Sequence, residues 1–165
     1  MKKSQSAHAF ILSEDESKIL LVMRRDTPVW VIPGGGLETG ETPLDCALRE
    51  GEEETGLSLK LIEKIGVSHP RNHLSNISHL YKLTPTGGIE SLTAETQDIR
   101  WFPLTELPLM PPPYPEWIKD MQHLNLPFEK VVRSVNYWAF AKNVFLHPIL
   151  ILRFLLSRAG VHLNN

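Results

Sequence analysis

Apolar and polar residues group along the chain in a way that orders its elements before any chemistry is considered. Ala7 to Leu12 and Lys18 to Met23 are aliphatic, β-branched runs, and the acidic Ser13-Glu14-Asp15-Glu16-Ser17 between them reads as a hairpin connection. Two strands therefore open the chain. Trp30-Val31-Ile32 is a third, short strand, ended by Pro33 and by Gly34-Gly35-Gly36. That run predicts a loop, because glycine reaches backbone angles closed to other residues.

The next segment carries the marks of a helix. Thr42 is an N-cap residue, Pro43 suits the first helical position, Asp45 stands where a capping-box acid would answer the cap, and Gly56 supplies the left-handed terminator. The predicted helix runs from about Pro43 to about Thr55. Leu57 to Val67, Ile77 to Leu83 and Ile99 to Phe102 read as further strands, with Thr86-Gly87-Gly88 as a turn. Pro103, Pro108, Pro111, Pro112, Pro113 and Pro115 then punctuate a rim loop that cannot be a regular helix or central strand. Glu116 to Leu124 is a candidate short helix, and Glu129 to Leu156 an apolar helical tail broken at Pro148.

At about 100° per residue, Leu44, Ala47, Leu48, Gly51 and Thr55 fall on one small or apolar stripe that must face the sheet. Glu50, Glu53 and Glu54 share the other side. Carboxylates one turn apart repel, and near a helix C-terminus they also oppose the helix dipole. Folding alone gives no reason for this arrangement. A divalent cation reverses the argument, since hard oxygen ligands on neighbouring turns are what magnesium or manganese requires. A solvated acidic face is the plainer alternative. Against it stand the glycine run just before the helix, Arg49 four residues ahead of Glu53, and Glu41 preceding the helix.

Composition narrows the setting. The 165 residues are enough for one ordinary domain with its own core, and 42% hydrophobic with 22% charged residues are values of a soluble globular protein. A formal net charge of -2 leaves no basic footprint for a nucleic acid polymer. The one cysteine, Cys46, excludes an internal disulfide framework and suits a reducing cytosol. Lys2 and Lys3 are followed by polar residues and no apolar signal core, so a cytoplasmic, unexported chain is expected.

Gly35, five residues, Glu41, seven residues, then Arg49-Glu50-Gly51-Glu52-Glu53-Glu54-Thr55-Gly56-Leu57 resembles the Nudix box, with every fixed position filled. One position departs: Gly51 stands where the family usually has an aliphatic residue, costing about 1 kcal/mol of helix propensity and predicting tight contact there. The resemblance spans roughly residues 5–120, including Trp30 and Ile99-Arg100-Trp101-Phe102-Pro103. It implies an α/β (α+β) fold, the Nudix α/β/α sandwich around a mixed sheet. It also implies hydrolysis of a nucleoside diphosphate linked to another moiety. By the family pattern Glu50, Glu53 and Glu54 bind Mg2+ or Mn2+ with the Gly35 carbonyl, Arg49 orients a carboxylate, Glu41 pairs with Arg49, and Gly56 is structural. The reading is a metal-dependent pyrophosphohydrolase acting on a small-molecule nucleotide such as ADP-ribose or a nucleotide sugar, a nucleoside triphosphate or a dinucleoside polyphosphate. A non-catalytic nucleotide-binding or regulatory module and a membrane-surface protein acting through the apolar tail are the alternatives.

The general base is the least determined role: Glu53 or Glu50 could serve, and outside the box Glu95, Asp98 and Glu116 are candidate loop acids. Arg24 and Arg25 at the end of the second strand are candidates for substrate phosphate. Trp30 closes the core or stacks on a base, while Tyr114 and Trp117 in the proline-rich rim are better placed to touch one. His69, His73 and His79 lack metal-ligand spacing and read as loop and strand residues. The expected division is a hydrolase domain over 1–126 and a helical extension over 127–165, packed on the domain or in a homodimer. The tail's apolar stretch is shorter than the about 20 residues a bilayer span needs, leaving membrane-surface contact as the second reading.

Overall fold

The computed structural model describes residues 4–73, 75–93 and 96–137. In chain order the elements are β1 (Gln5–Ile11), β2 (Lys18–Arg24), β3 (Trp30–Val31), β4 (Gly34–Gly36), α1 (Pro43–Thr55), β5 (Leu57–His69), β6 (Ile77–Gly88), β7 (Thr96–Pro103), α2 (Tyr114–His123) and β8 (Phe128–Val131). The strands form a five-stranded mixed sheet, β4-β1-β6-β5-β8, and a three-stranded antiparallel sheet, β3-β2-β7.

Strand β1 explains the layering. Its apolar run is unbroken because both faces are covered, as in strands buried between helices. Ala7, Ala9 and Ile11 point into a cluster with Cys46 and Ala47 of α1, Leu57, Leu59, Tyr81 and Leu83. Phe10 points the other way, into a cluster with Leu80, Ile65 and the α2 residues Trp117, Ile118 and Met121. One helix thus packs on each face of the strands: the α/β/α sandwich expected from the sequence.

Several expectations are corrected. The first two strands do not make a hairpin ladder; they meet at the Leu12–Ile19 bridge and diverge into separate sheets, β1 pairing with β4 and in parallel with β6. Their connection is held by Asp15, which accepts from the Ser13 and Ser17 hydroxyls at 2.6 and 2.7 Å. Gly34–Gly36, expected to be loop, is a strand whose Gly34, Gly35 and Gly36 stand opposite His8, Ala7 and Ser6. Thr86 to Gly88 continue β6 rather than turning, with Gly87 and Gly88 opposite Ser58 and Leu57. Phe128–Val131, expected at the head of a helical tail, is instead β8, paired in parallel with Gly66 to His69 of β5. Residues 138–165 of the tail and Glu95 lie outside the described residues. Among the described residues no helix is long and apolar enough to cross a membrane.

Candidate active site

Helix α1 starts and stops where local chemistry dictates. The Thr42 hydroxyl accepts from the Asp45 N–H at 3.2 Å and donates to the Asp45 carboxylate at 2.6 Å, so the acid returns to the cap's hydroxyl rather than to its backbone N–H. Gly56 ends the helix with φ of 76° and donates to the Glu52 carbonyl at 2.8 Å. Between them Cys46, Ala47, Gly51 and Thr55 are buried against the sheet, with Leu44 and Leu48 packed at the margin. Small residues at these positions let the helix lie close. A Cβ on Gly51 would come within 2.6 Å of Leu59 Cδ1 and 3.0 Å of the Ala9 Cβ, which is the tight contact expected there.

The acids occupy the opposite side and gather around one guanidinium. Arg49 donates through Nε and Nη2 to the two Glu41 oxygens at 2.8 and 3.1 Å, and through Nη1 to Glu50 at 2.9 Å and Glu53 at 3.1 Å. The bidentate grip of Arg49 holds the Glu41 carboxyl well below its ordinary range, at about 2, and the same contact raises the Arg49 pKa. Glu53 is the open member of the set, its side chain 62% exposed against 18% for Glu50 and 11% for Glu41. Glu54 turns toward β4 and accepts from the Gly34 N–H at 3.1 Å. Glu52 leaves the group altogether, accepting from the Leu59 N–H at 2.9 Å.

The glycine strand is fitted to these carboxylates. A Cβ on Gly35 would sit 2.3 Å from Glu50 Oε1, so the acid reaches the backbone of β4 only because no side chain is there. The last turn of α1 is tied from the other direction, by the Thr96 hydroxyl of β7 donating to the Glu54 carbonyl at 3.2 Å. The buried Cys46 thiol lies 3.7 and 3.5 Å from the Gly35 and Gly36 carbonyls. Burial, with Glu41 and Glu50 nearby, pushes its pKa up to about 12, which leaves an unreactive thiol.

Among the described residues no three His, Cys, Asp or Glu groups converge into a ready coordination shell. Instead Arg49 stands between Glu50 and Glu53. The donor types still fit a hard divalent cation: carboxylate oxygens on successive turns and a cradle at Gly35 that admits Glu50.

The other sequence candidates divide. Arg24 is clamped to Asp26 through Nε at 2.9 Å and Nη2 at 2.5 Å, a pairing that raises its pKa, with smaller contributions from Tyr114 and Glu54 nearby. Arg25 donates to the Thr93 and Thr96 carbonyls at 3.4 and 3.1 Å and so supports the approach to β7. Trp30 packs edge-to-face on Phe102 at 4.8 Å with Arg100 over its ring, a packing role. Tyr114 borders the acidic end of α1, and burial pushes its pKa up to about 12. Trp117, expected at the rim, is in the core, 4% exposed and bonded to the Ser68 hydroxyl at 2.9 Å. Asp98 pairs with Arg100 at 2.8 Å, while Glu116 accepts from the Arg133 and Ser134 N–H groups, so both acids are engaged away from α1. His69 meets Glu129 and His79 meets Gln5, with no shared centre.

His8 escaped the sequence reading. It is 8% exposed, and a Cβ on Gly34 would fall 2.5 Å from its Nδ1, so its ring backs the glycine strand. Burial lowers its pKa to about 4, making it a neutral support. A polar residue at an inward position of an apolar strand was the available signal.

The NUDIX domain pattern matches residues 2–122 of the chain. A Bacillus subtilis protein named as a candidate 8-oxo-dGTP diphosphatase is 38% identical over 107 residues, covering 64% of this chain and 70% of that protein. The ADP-ribose pyrophosphatase of Methanocaldococcus jannaschii is 34% identical over 115 residues, covering 65% of this chain and 67% of that one. A NUDIX hydrolase structure from Nitrosomonas europaea superposes with a TM-score of 0.69 at 20% identity, covering 80% of each chain, a likeness of fold.

Proposed function

The chain belongs to the Nudix family of hydrolases, and we propose that it cleaves a phosphoanhydride bond of a nucleoside diphosphate derivative with the help of Mg2+ or Mn2+. The observation that carries this reading is the sharing of Arg49 by Glu41, Glu50 and Glu53 beside a glycine strand fitted to Glu50. Glu50, Glu53, Glu54 and the Gly35 carbonyl would hold the cation. When bound, it neutralises the phosphate oxygens and makes water more acidic.

The chain's own residues supply the rest. Arg49 fixes the directions of Glu50 and Glu53 and keeps its charge at every relevant pH. Glu53 is the most exposed acid of the group and is the proposed acceptor of the water proton, with Glu50 as the alternative. Glu95 remains a rival to be tested by substitution. Glu54 is aimed by the Gly34 N–H and its carbonyl by Thr96, so the acidic end of α1 is braced from both sheets. Arg24 and Tyr114 border that end and are the proposed contacts for the substrate's phosphate and base. Arg25 supports them through the backbone before β7.

A nucleotide panel covering ADP-ribose, nucleotide sugars, nucleoside triphosphates and dinucleoside polyphosphates, with Mg2+ or Mn2+, tests the reading. Products are resolved and heavy-oxygen water locates the attacked phosphorus. Metal-dependent release of a nucleotide product with label on one phosphate is expected. Tight nucleotide binding without turnover across the panel would favour a regulatory module instead.

A further inference from the structure

Opposite the acids, at the β8 edge of the five-stranded sheet, lies a cleft of about 730 Å³ lined, among the described residues, by Arg71, Leu124, Lys130, Val131 and Arg133. Beyond the catalytic reading, we propose that this cleft is a second binding site, for a small molecule with a phosphate monoester on an apolar or aromatic body.

Charge comes first. Three of the five lining residues are cationic and none is acidic. Lys130 is already answered, by Asp120 at 2.7 Å and Glu116 at 3.3 Å. Arg71 and Arg133 are exposed, and among the described residues neither guanidinium has an ion pair. A phosphate dianion in the cleft would match the planar donor fork of each.

Construction comes second. Arg71 lies on the connection after β5, Leu124 at the end of α2, and Arg133 just after β8. These separate segments are tied together around the cleft. The Glu116 carboxylate accepts from the Arg133 N–H at 3.1 Å and the Ser134 N–H at 2.8 Å, and Asn72 donates to the Val135 carbonyl at 3.2 Å. The walls that carry the two arginines are therefore held in place before any ligand arrives, which limits the ordering cost of binding. Leu124 and Val131, 42% and 50% exposed, leave apolar surface open between the cations, where the body of the ligand would lie.

Location comes third. The strand order places β4 and β8 at opposite edges, four strand spacings or roughly 19 Å apart, so the cleft is separate from the α1 carboxylates. The ligand could be the nucleoside monophosphate released by hydrolysis or an unrelated phosphorylated metabolite, since both present the same dianion.

Isothermal titration of the full chain in EDTA, which silences turnover, separates these outcomes. Saturable binding of AMP is expected, with weaker binding of inorganic phosphate and none of adenosine. Phenyl phosphate in place of AMP reports whether the nucleoside is needed; tighter binding of AMP assigns the site to nucleotide products, and equal binding to aromatic phosphate monoesters generally. Arg71→Gln combined with Arg133→Gln should weaken binding at least tenfold while melting temperature and turnover stay near those of the parent, and Glu53→Gln should leave binding unchanged. Undiminished binding in the double variant, loss of binding in Glu53→Gln, or no saturable binding by the parent chain would overturn the proposal. The binding readouts that decide the proposal do not depend on turnover, so failure here is distinguishable from failure of the proposed hydrolysis.

Discussion

Helices α1 and α2 cover opposite faces of the same strands and are built on opposite rules. Helix α1 buries small side chains, Cys46, Ala47, Gly51 and Thr55, and lies close to the sheet. Helix α2 buries Trp117, Ile118 and Met121 and fills space instead. Their acids differ as well. Asp120 and Glu116 of α2 are answered by Lys130 and, for Glu116, by two backbone N–H groups. On the α1 side, Glu41, Glu50 and Glu53 all pair with Arg49. On α2 two carboxylates divide one lysine and two backbone N–H groups between them, whereas on the α1 side three carboxylates meet on one guanidinium. The larger negative excess on the α1 side is where the proposed chemistry is sited.

The sharpest way to break this contrast is Glu53→Gln, which keeps the shape and removes one unit of the excess. Turnover is expected to fall by roughly 10³-fold or more with the melting temperature nearly unchanged, read by steady-state kinetics and circular dichroism. Near-parental activity would sink the metal assignment. On the other face, Trp117→Ala empties a core position and breaks the bond to Ser68. Urea denaturation should show a loss of about 3–5 kcal/mol, against little change if α2 were a loosely held cover. Gly51→Val tests the close approach of α1, and overpacking against Leu59 and Ala9 should cost about 1–3 kcal/mol in the same measurement; a gain in stability would show that the helix can simply move outward.

The smallest effect is confined to acid. Because the folded pKa of Glu41 is depressed from 4.5 to about 2, its pairing with Arg49 stabilises the fold fully above pH 4.5 and is lost as pH falls toward 2. The melting-temperature gap between the parent and Glu41→Gln should therefore close over that window, and a gap independent of pH would assign the effect to packing.

Helix α1 was legible because its determinants are local: the cap, the proline, the glycine terminator and the periodicity of the small stripe all lie within Thr42–Gly56. The placing of Glu50, Glu53 and Glu54 on one side followed from the same periodicity. What escaped depends on distant partners. Gly34–Gly36 has no strand propensity of its own and is a strand because β1 offers a ladder. Gly87 and Gly88 read as a turn until β5 extends to meet them. Phe128–Val131 follows the edge of β5, and its sequence alternation could not reveal that edge. Trp117 was placed at the rim because prolines surround it, yet a large ring with a donor can be buried once a hydroxyl such as Ser68 is within reach.

The brace between Thr96 and the Glu54 carbonyl spans 42 residues of sequence, and that separation bears on when activity can appear. A chain emerging from the ribosome carries the complete acidic helix, with both caps, well before it carries β7. Synthesis of the intervening residues, at about 5–20 residues per second, takes seconds, far longer than winding a helix. The nascent protein should thus hold all its proposed metal-binding side chains for some time without the geometry to use them, becoming a hydrolase only when the seventh strand docks.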